Sequence, residues 1–259
     1  MDFDYLLIEK IGNIQIIRLN EPNKRNALVI EMRKELFRAF SQAEQDEDIK
    51  TIILTGEGKA FSAGGDLSTI RKSKPLETIK RLQSSHPLIM KMVEMEKPII
   101  AAVNGAAAGA GFSLALLCDV IFASEQAFFV QSFVNIGLIP DFAAMHFLPM
   151  LVGPHKAKEL MFMGERISAE EAHRIGIVNR VVPVETLLAE AIEFAEKLAK
   201  KPPISVGMTK KIMNQHINRD LKVLLELEAQ GQDLCSQTED FKEGVNAFFE
   251  KREPNFLGK

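Results

Sequence analysis

Pro98–Cys118 reads PIIAAVNGAAAGAGFSLALLC. An apolar run of strand length, Pro98–Val103, leads into a loop made almost entirely of Gly and Ala, Gly105–Gly111. A second apolar run, Phe112–Leu117, carries the chain out. The pattern predicts a strand, a small-residue loop and a buried helix. A loop lined by hydrogen atoms and methyl groups lets another molecule approach its backbone closely. The first N–H groups of a helix have no partner within it, so they are free to face that molecule. Backbone donors aimed at one point form an anion hole.

The same arrangement occurs about fifty residues earlier. Thr51–Thr55 (TIILT) is strand-like, Gly56–Gly65 (GEGKAFSAGG) is the loop, and Asp66-Leu67 opens the next element. Two such loops side by side would supply one N–H each to a single oxygen. Neither is a phosphate loop: GEGKAFSAGG lacks the Gly-Lys-Ser/Thr ending. The run from Gly109 lacks the third glycine of a dinucleotide fingerprint, with Leu114 in its place.

The 259 residues are 46% hydrophobic, enough for a full core. A net charge of −3 argues against nucleic acid as the main partner and leaves any anionic ligand to local cations. No apolar run approaches membrane-spanning length, and Met1-Asp2-Phe3-Asp4 does not resemble a signal peptide, so a cytoplasmic protein is expected. Cys118 and Cys235 are the only cysteines; Cys118 closes an apolar run and fits a core thiol better than a disulfide. The five histidines, His86, His146, His155, His173 and His216, show no metal-ligand spacing.

Around the two loops the chain alternates strands and helices. Tyr5–Glu9 and Ile14–Leu19 read as a hairpin about Gly12-Asn13. Val29–Ala43 has the period of a helix, Leu67–Pro75 is polar, and Leu76–Met95 is helical with a break or fresh start at Pro87. Asp119–Ala123 and Ala127–Val130 are short strands. Gly137–Asp141 (GLIPD) turns into a helix over Phe142–Leu151 with Asp141 at its N-cap, and Gly153 separates a further helix, His155–Met163. Ser168–Glu171 is a capping box and Ile177–Val182 a last strand. Beyond Val184 only helices are expected, with a break at Pro202-Pro203. The class is α/β with a core over residues 1–200 and a helical region over 201–259. Apolar helices at the end of a chain either build a subunit interface or pack on their own core.

Asp141 is the acid whose sequence surroundings matter. Phe133, Ile136, Leu138, Ile139 and Phe142 flank it, and burial among them would raise its pKa toward that of a general base or acid. A plain helix cap is the commoner role, and the two are compatible. Asp66 reads most simply as a cap. Ser113 has no neighbouring base to activate it, and Lys24, Arg25, Lys251 and Arg252 read as solvated surface charge.

LNEPNKRNAL (Leu19–Leu28), GEGKAFSAGGDL (Gly56–Leu67), KPIIAAVNGAAAGAG (Lys97–Gly111) and NIGLIPD (Asn135–Asp141) resemble the crotonase superfamily, the enoyl-CoA hydratase/isomerase family. Glu165–Pro183 and Phe248–Phe256 are similar to it too, so the resemblance spans nearly the whole chain. It implies a spiral of repeated ββα units with a helical C-terminal trimerisation region, assembled as homotrimers or hexamers. It also implies an acyl-coenzyme A thioester as ligand, with coenzyme A belonging to the substrate and no separate cofactor. The thioester oxygen would lie between the N–H groups of Ala63 and Ala110. Lys24, Arg25 and Ala27 would border the coenzyme A together with Gly64, Gly65, Asp66 and Leu67, and Lys251 or Arg252 would reach its phosphates from this or a neighbouring subunit.

Hydratases of the family carry two water-activating glutamates. Here Ser113 and Phe133 stand at those positions, whereas Asp141 matches the acid of isomerising members. The resemblance therefore implies an enoyl-CoA isomerase, including the ring-acyl type, with Asp141 as proton shuttle. The alternatives are a hydratase with a rearranged acid–base set and a catalytically silent acyl-CoA binder.

Overall fold

The computed structural model describes residues 3–70, 76–217 and 220–259. The polar stretch Leu67–Pro75 thus lies partly outside the described residues, as do Met1 and Asp2.

In chain order the elements are β1 (Leu6–Ile11), β2 (Ile14–Leu19), α1 (Ile30–Gln45), β3 (Thr51–Gly56), β4 (Ala60–Ser62), α2 (Leu67–Ile70), α3 (Glu77–Gln83) and α4 (His86–Glu94). Next come β5 (Ile99–Val103), β6 (Ala106–Ala108), α5 (Ala110–Leu116), β7 (Val120–Ser124), β8 (Phe128–Val130) and α6 (Ala144–Met163). The chain ends with β9 (Ile167–Ser168), α7 (Ala169–Arg174), β10 (Arg180–Val182), α8 (Leu187–Ala199), α9 (Pro203–Ile217), α10 (Leu221–Ser236) and α11 (Glu239–Glu250).

A ββα unit recurs along the middle of the chain. In each repeat the first strand joins a six-stranded sheet of order β1-β2-β3-β5-β7-β10, and the second, of three residues, joins a four-stranded sheet of order β4-β6-β8-β9. Beyond the β1–β2 hairpin the large sheet is parallel. A parallel sheet is covered on both faces, which is why β3 and β5 are continuous apolar runs instead of alternating ones. Ile52, Leu54, Ile99 and Ala101 pack with Met32, Leu36 and Phe40 of α1 and Leu88 and Met92 of α4. Ile16, Ile53, Ile100 and Phe122 point the other way, under Leu187, Ala191 and Ala195 of α8. The strand period of two sorts these residues between the faces.

Of the two outcomes expected at Pro87 the fresh start holds: α3 ends at Gln83 and α4 begins at His86, with Pro87 in its first turn where its missing N–H costs nothing. One local expectation changes. Asp141 does not cap the helix that follows it. Phe142 (φ 57°) and Ala143 (φ 61°) are both left-handed, and α6 starts only after them. Non-glycine residues rarely adopt that conformation, so the sequence gives no sign of it. Gly153 (φ 78°) splits α6 as expected, and the Ser168 hydroxyl accepts the Glu171 N–H at 3.2 Å to form the cap that opens α7.

The C-terminal helices pack on the chain's own core along one face. Leu221 and Leu225 of α10 and Phe241 and Val245 of α11 lie in the main apolar cluster, with α10 laid along α3. Their other faces leave Ile204, Ile212, Leu227, Leu234 and Phe248 exposed. Cys118 is buried and both cysteines are free, and burial pushes the Cys118 thiol far up.

Candidate active site

The first loop is fastened by the turn that precedes α1. Asn26, buried and left-handed (φ 56°), accepts the Glu21 N–H at 2.9 Å and donates to the carbonyls of Glu57 at 2.9 Å and Ala60 at 2.8 Å. The Ser62 hydroxyl donates to Asn26 O at 2.7 Å, and the Leu28 N–H to Gly64 O at 2.7 Å. Asn26→Ala removes three hydrogen bonds from a dry site and puts a less tolerant residue at positive φ. It is expected to cost about 3 kcal/mol, lowering the melting temperature by roughly 6–12 °C in a calorimetric scan.

The second loop lies directly against the first. A Cβ added to Gly64 (φ +85°) would fall 2.6 Å from Ala108 O and 3.0 Å from Ala110 N, and one added to Gly111 only 2.3 Å from Ser62 O. The glycines are what let the two backbones touch. The loops expected to work together are neighbours.

One expected donor moves. The Ala63 N–H is taken: it donates to Arg25 O at 2.9 Å, as part of the fastening just described. Gly64 N–H turns back to the Ser62 hydroxyl at 3.2 Å. Gly65 N–H has no hydrogen-bond partner among the described residues. The available amide on this loop is therefore that of Gly65, two residues beyond the expected one. On the other loop Ala110 is the first residue of α5, where an N–H has no acceptor one turn earlier in the helix.

Lys24 and Arg25 are exposed and Ala27 is buried beside Leu28 at the mouth of the first loop. Asp66 accepts the Ser68 N–H at 2.9 Å and its hydroxyl at 2.6 Å, a cap for α2, with Leu67 half-buried behind it. Arg252 is committed within its own chain to Glu243, at 2.6 and 2.8 Å, and to Glu250 at 2.6 Å.

Ser113 is fully buried and its hydroxyl donates to Gly109 O at 3.3 Å. The Phe133 ring lies over the second loop, with two of its atoms 3.7 and 3.8 Å from where a Gly109 Cβ would be. Neither position offers a carboxylate.

Asp141 is 6% exposed and lines a small cavity with Leu82, Ile89, Leu225 and Glu228. Its Oδ2 accepts from Gln232 Nε2 at 3.4 Å, and its Oδ1 is buried with no partner among the described residues. Burial raises its pKa, while the guanidiniums of Arg33 and Arg81 pull it back down. Arg33 donates to Leu28 O at 2.7 Å and to the Ser85 hydroxyl at 3.0 Å, and stacks 5.0 Å above the Phe142 ring. Burial lowers its pKa to about 10, opposed by the charge of Asp141. Desolvation thus favours the protonated form of Asp141, and the two cations oppose it.

Sequence reading missed Glu228 and Gln232 on α10. Gln232 Oε1 accepts the Ile139 N–H and Glu228 Oε2 the Ala143 N–H, both at 3.0 Å, so these side chains hold the strained turn on either side of Asp141. A signal existed: Leu221, Leu225, Glu228 and Gln232 follow a spacing of four, three, four, which places two polar residues on the helix's buried stripe. Among the described residues no group of three potential metal ligands occurs, and no helix is long and apolar enough to cross a membrane.

A family model described as Enoyl-CoA hydratase/isomerase matches residues 9–259. The 1,2-epoxyphenylacetyl-CoA isomerase of Escherichia coli is 38% identical over 264 aligned residues, and the crotonyl-CoA hydratase of Syntrophomonas wolfei 36% over 261, each covering all of both chains. Among solved structures, an enoyl-CoA hydratase from Mycobacterium avium subsp. paratuberculosis superposes with a TM-score of 0.90 at 30% identity, covering 99% of this chain and all of that one. With adjoining glycine loops, a buried acid beyond them and this match along nearly its whole length, the chain belongs to the enoyl-CoA hydratase/isomerase family.

Proposed function

We propose that the protein is an enoyl-CoA isomerase acting on an acyl-coenzyme A thioester. The observation that carries this reading is the buried acid Asp141 in a chain whose two glycine loops touch, while Ser113 and Phe133 leave the other two acid positions of the family without a carboxylate. The thioester oxygen accepts from the N–H groups of Gly65 and Ala110. Asp141 takes a proton from C2 of a 3-enoyl thioester. The C–H electron pair moves toward the carbonyl, and negative charge collects on the oxygen that the two donors hold. One such donor contributes roughly 3 kcal/mol in the transition state. Asp141 then returns the same proton to C4, and the double bond has moved from C3–C4 to C2–C3. One carboxylate completes this cycle, whereas addition of water requires a further group to hold the water. Lys24 and Arg25 are exposed on the turn that fastens the first loop and meet the coenzyme A phosphates; no cofactor beyond the substrate's own coenzyme A takes part. The exposed apolar faces of α9, α10 and α11 suit a homotrimer or hexamer.

The test is product analysis with a 3-enoyl-CoA and a 2-enoyl-CoA side by side. Conversion of the 3-enoyl substrate to its 2-enoyl isomer is expected to exceed hydration of the 2-enoyl substrate by at least about tenfold in kcat/KM, a gap of about 1.4 kcal/mol. Hydration outrunning isomerisation would favour the second reading, a hydratase with a rearranged acid–base set. Glu228 gives that reading its specific support, since it is a second buried carboxyl beside Asp141.

A further inference from the structure

Glu228 has no part in the isomerisation as written, yet it shares a cavity with Asp141. The cavity measures about 10 Å³ and is lined as well by Leu82, Ser85, His86, Ile89, Phe142 and Leu225. That is room for one water molecule. Glu228 is 2% exposed, and while its Oε2 is occupied by the Ala143 N–H, its Oε1 is buried without a partner among the described residues, as is Asp141 Oδ1.

We propose that Glu228 is a positioning residue for Asp141: the two carboxyls hold one proton between them near neutral pH, Glu228 carries it, and the single water of their common cavity links them. The proposal rests on the reading of Asp141 as the proton shuttle.

Two carboxylates facing one cavity too small for bulk water do not both stay ionised, because each opposes the other's charge and neither is fully solvated. The surrounding charges decide which keeps the proton. Asp141 faces Arg33 of α1 and Arg81 of α3, and receives Gln232 Nε2 from its own side of α10. Glu228 is opposed in its rise only by the backbone N–H groups of Ala143 and Met145, has no cation beside it among the described residues, and faces the negative charge of Asp141. The one histidine at the cavity, His86 of α4, is paired at 3.4 Å with Glu226 on the far side, and burial lowers its pKa. Burial raises both carboxyls, but guanidiniums oppose that rise only at Asp141, which leaves the proton on Glu228. Burial, with the charge of Asp141 adding to it, pushes Glu228 up to about 8. A protonated Oε1 then has a hydrogen to donate toward Asp141 Oδ1, which fixes the rotamer of the shuttle and keeps it ionised in the free enzyme.

The stability consequence has a definite sign. Glu228 titrates at about 8 in the fold against 4.5 when free, so between those values the native state holds the extra proton. Its contribution is complete below about pH 4.5 and is lost as pH rises through 8.

The experiment is a carbon-13 NMR titration of the whole protein labelled at glutamate carboxyls, with Glu228→Gln identifying the resonance. Glutamine retains an oxygen for the Ala143 N–H and stays neutral. The Glu228 midpoint is expected near pH 8 in the native protein and at least about one unit lower in Asp141→Asn, where the neighbouring charge is gone. Glu228→Gln is expected to lose the break near pH 8 in the kcat profile on a 3-enoyl-CoA, with KM unchanged, and to flatten the fall in melting temperature between pH 5 and 8. A midpoint below about pH 6, or one that Asp141→Asn leaves in place, overturns the proposal. If Asp141→Asn keeps full isomerase turnover while the Glu228 midpoint shifts as stated, the proton-sharing pair stands and the reading of Asp141 as proton shuttle falls.

Discussion

Replacing Asp141 with Asn is expected to lower kcat on a 3-enoyl-CoA by a factor on the order of 10³, within the range that loss of a general acid–base group produces. The substitution changes no heavy-atom count. Asn can still accept from Gln232 Nε2, and it still fits a cavity that admits one water. What it cannot do is take a proton from carbon. KM is expected to stay within about threefold, because the coenzyme A end of the substrate is held elsewhere and the two loop amides are untouched. Stability falls as well. Arg33 is buried and its charge is balanced by Asp141, so removing the carboxylate leaves a buried cation with only carbonyl and hydroxyl partners, at a cost on the order of 3 kcal/mol. A thermal scan of the variant therefore has to accompany the kinetics. Kinetics taken well below its melting temperature separate lost chemistry from lost fold. A folded Asp141→Asn enzyme with kcat within tenfold of the original would remove Asp141 from the mechanism.

The two loops were legible because their signal is local: a strand, a glycine-dense bend and an apolar helix start are each visible within twenty residues. Which amide a loop leaves free was not legible. Ala63 and Gly65 are both plausible donors by composition, and the choice between them is made by the Arg25 carbonyl, which reaches the loop from a turn before α1. Asp141 was found as an acid in an apolar setting but was read as a helix cap. The cap is absent because Phe142 and Ala143 turn left-handed, a conformation that nothing in GLIPDFA announces and that Glu228 and Gln232 hold in place from almost a hundred residues away. Sequence distance hid Arg33 and Arg81 too: each looks like surface charge on its own helix, and only the packing of α3 on α10 and of α1 on α4 turns them toward the acid. The sequence pattern thus reports what a segment does alone. The site is made where segments meet.

Gly64→Ala tests that meeting point directly. The added methyl would lie 2.6 Å from Ala108 O and 3.0 Å from Ala110 N. Both neighbours are backbone atoms and no rotamer change relieves the contact, so the second loop has to move away. A residue with a side chain also pays roughly 1–2 kcal/mol to hold φ near +85°. Together these are expected to destabilise the protein by about 3–4 kcal/mol, or roughly 6–16 °C in melting temperature. The larger effect is on turnover. If the Gly65 and Ala110 amides converge on one oxygen, separating the loops by a few tenths of an ångström weakens both bonds to the developing charge, and kcat is expected to drop about 10²–10³-fold. Gly12→Ala supplies the control: it carries the same kind of positive φ (+55°) with nothing within 4 Å of the new methyl. That variant is expected to lose only about 1 kcal/mol of stability and no turnover. Equal kinetics for Gly64→Ala and Gly12→Ala would mean that the contact between the loops carries no catalytic geometry. A large loss confined to Gly64→Ala would locate the oxyanion site where the two loops touch.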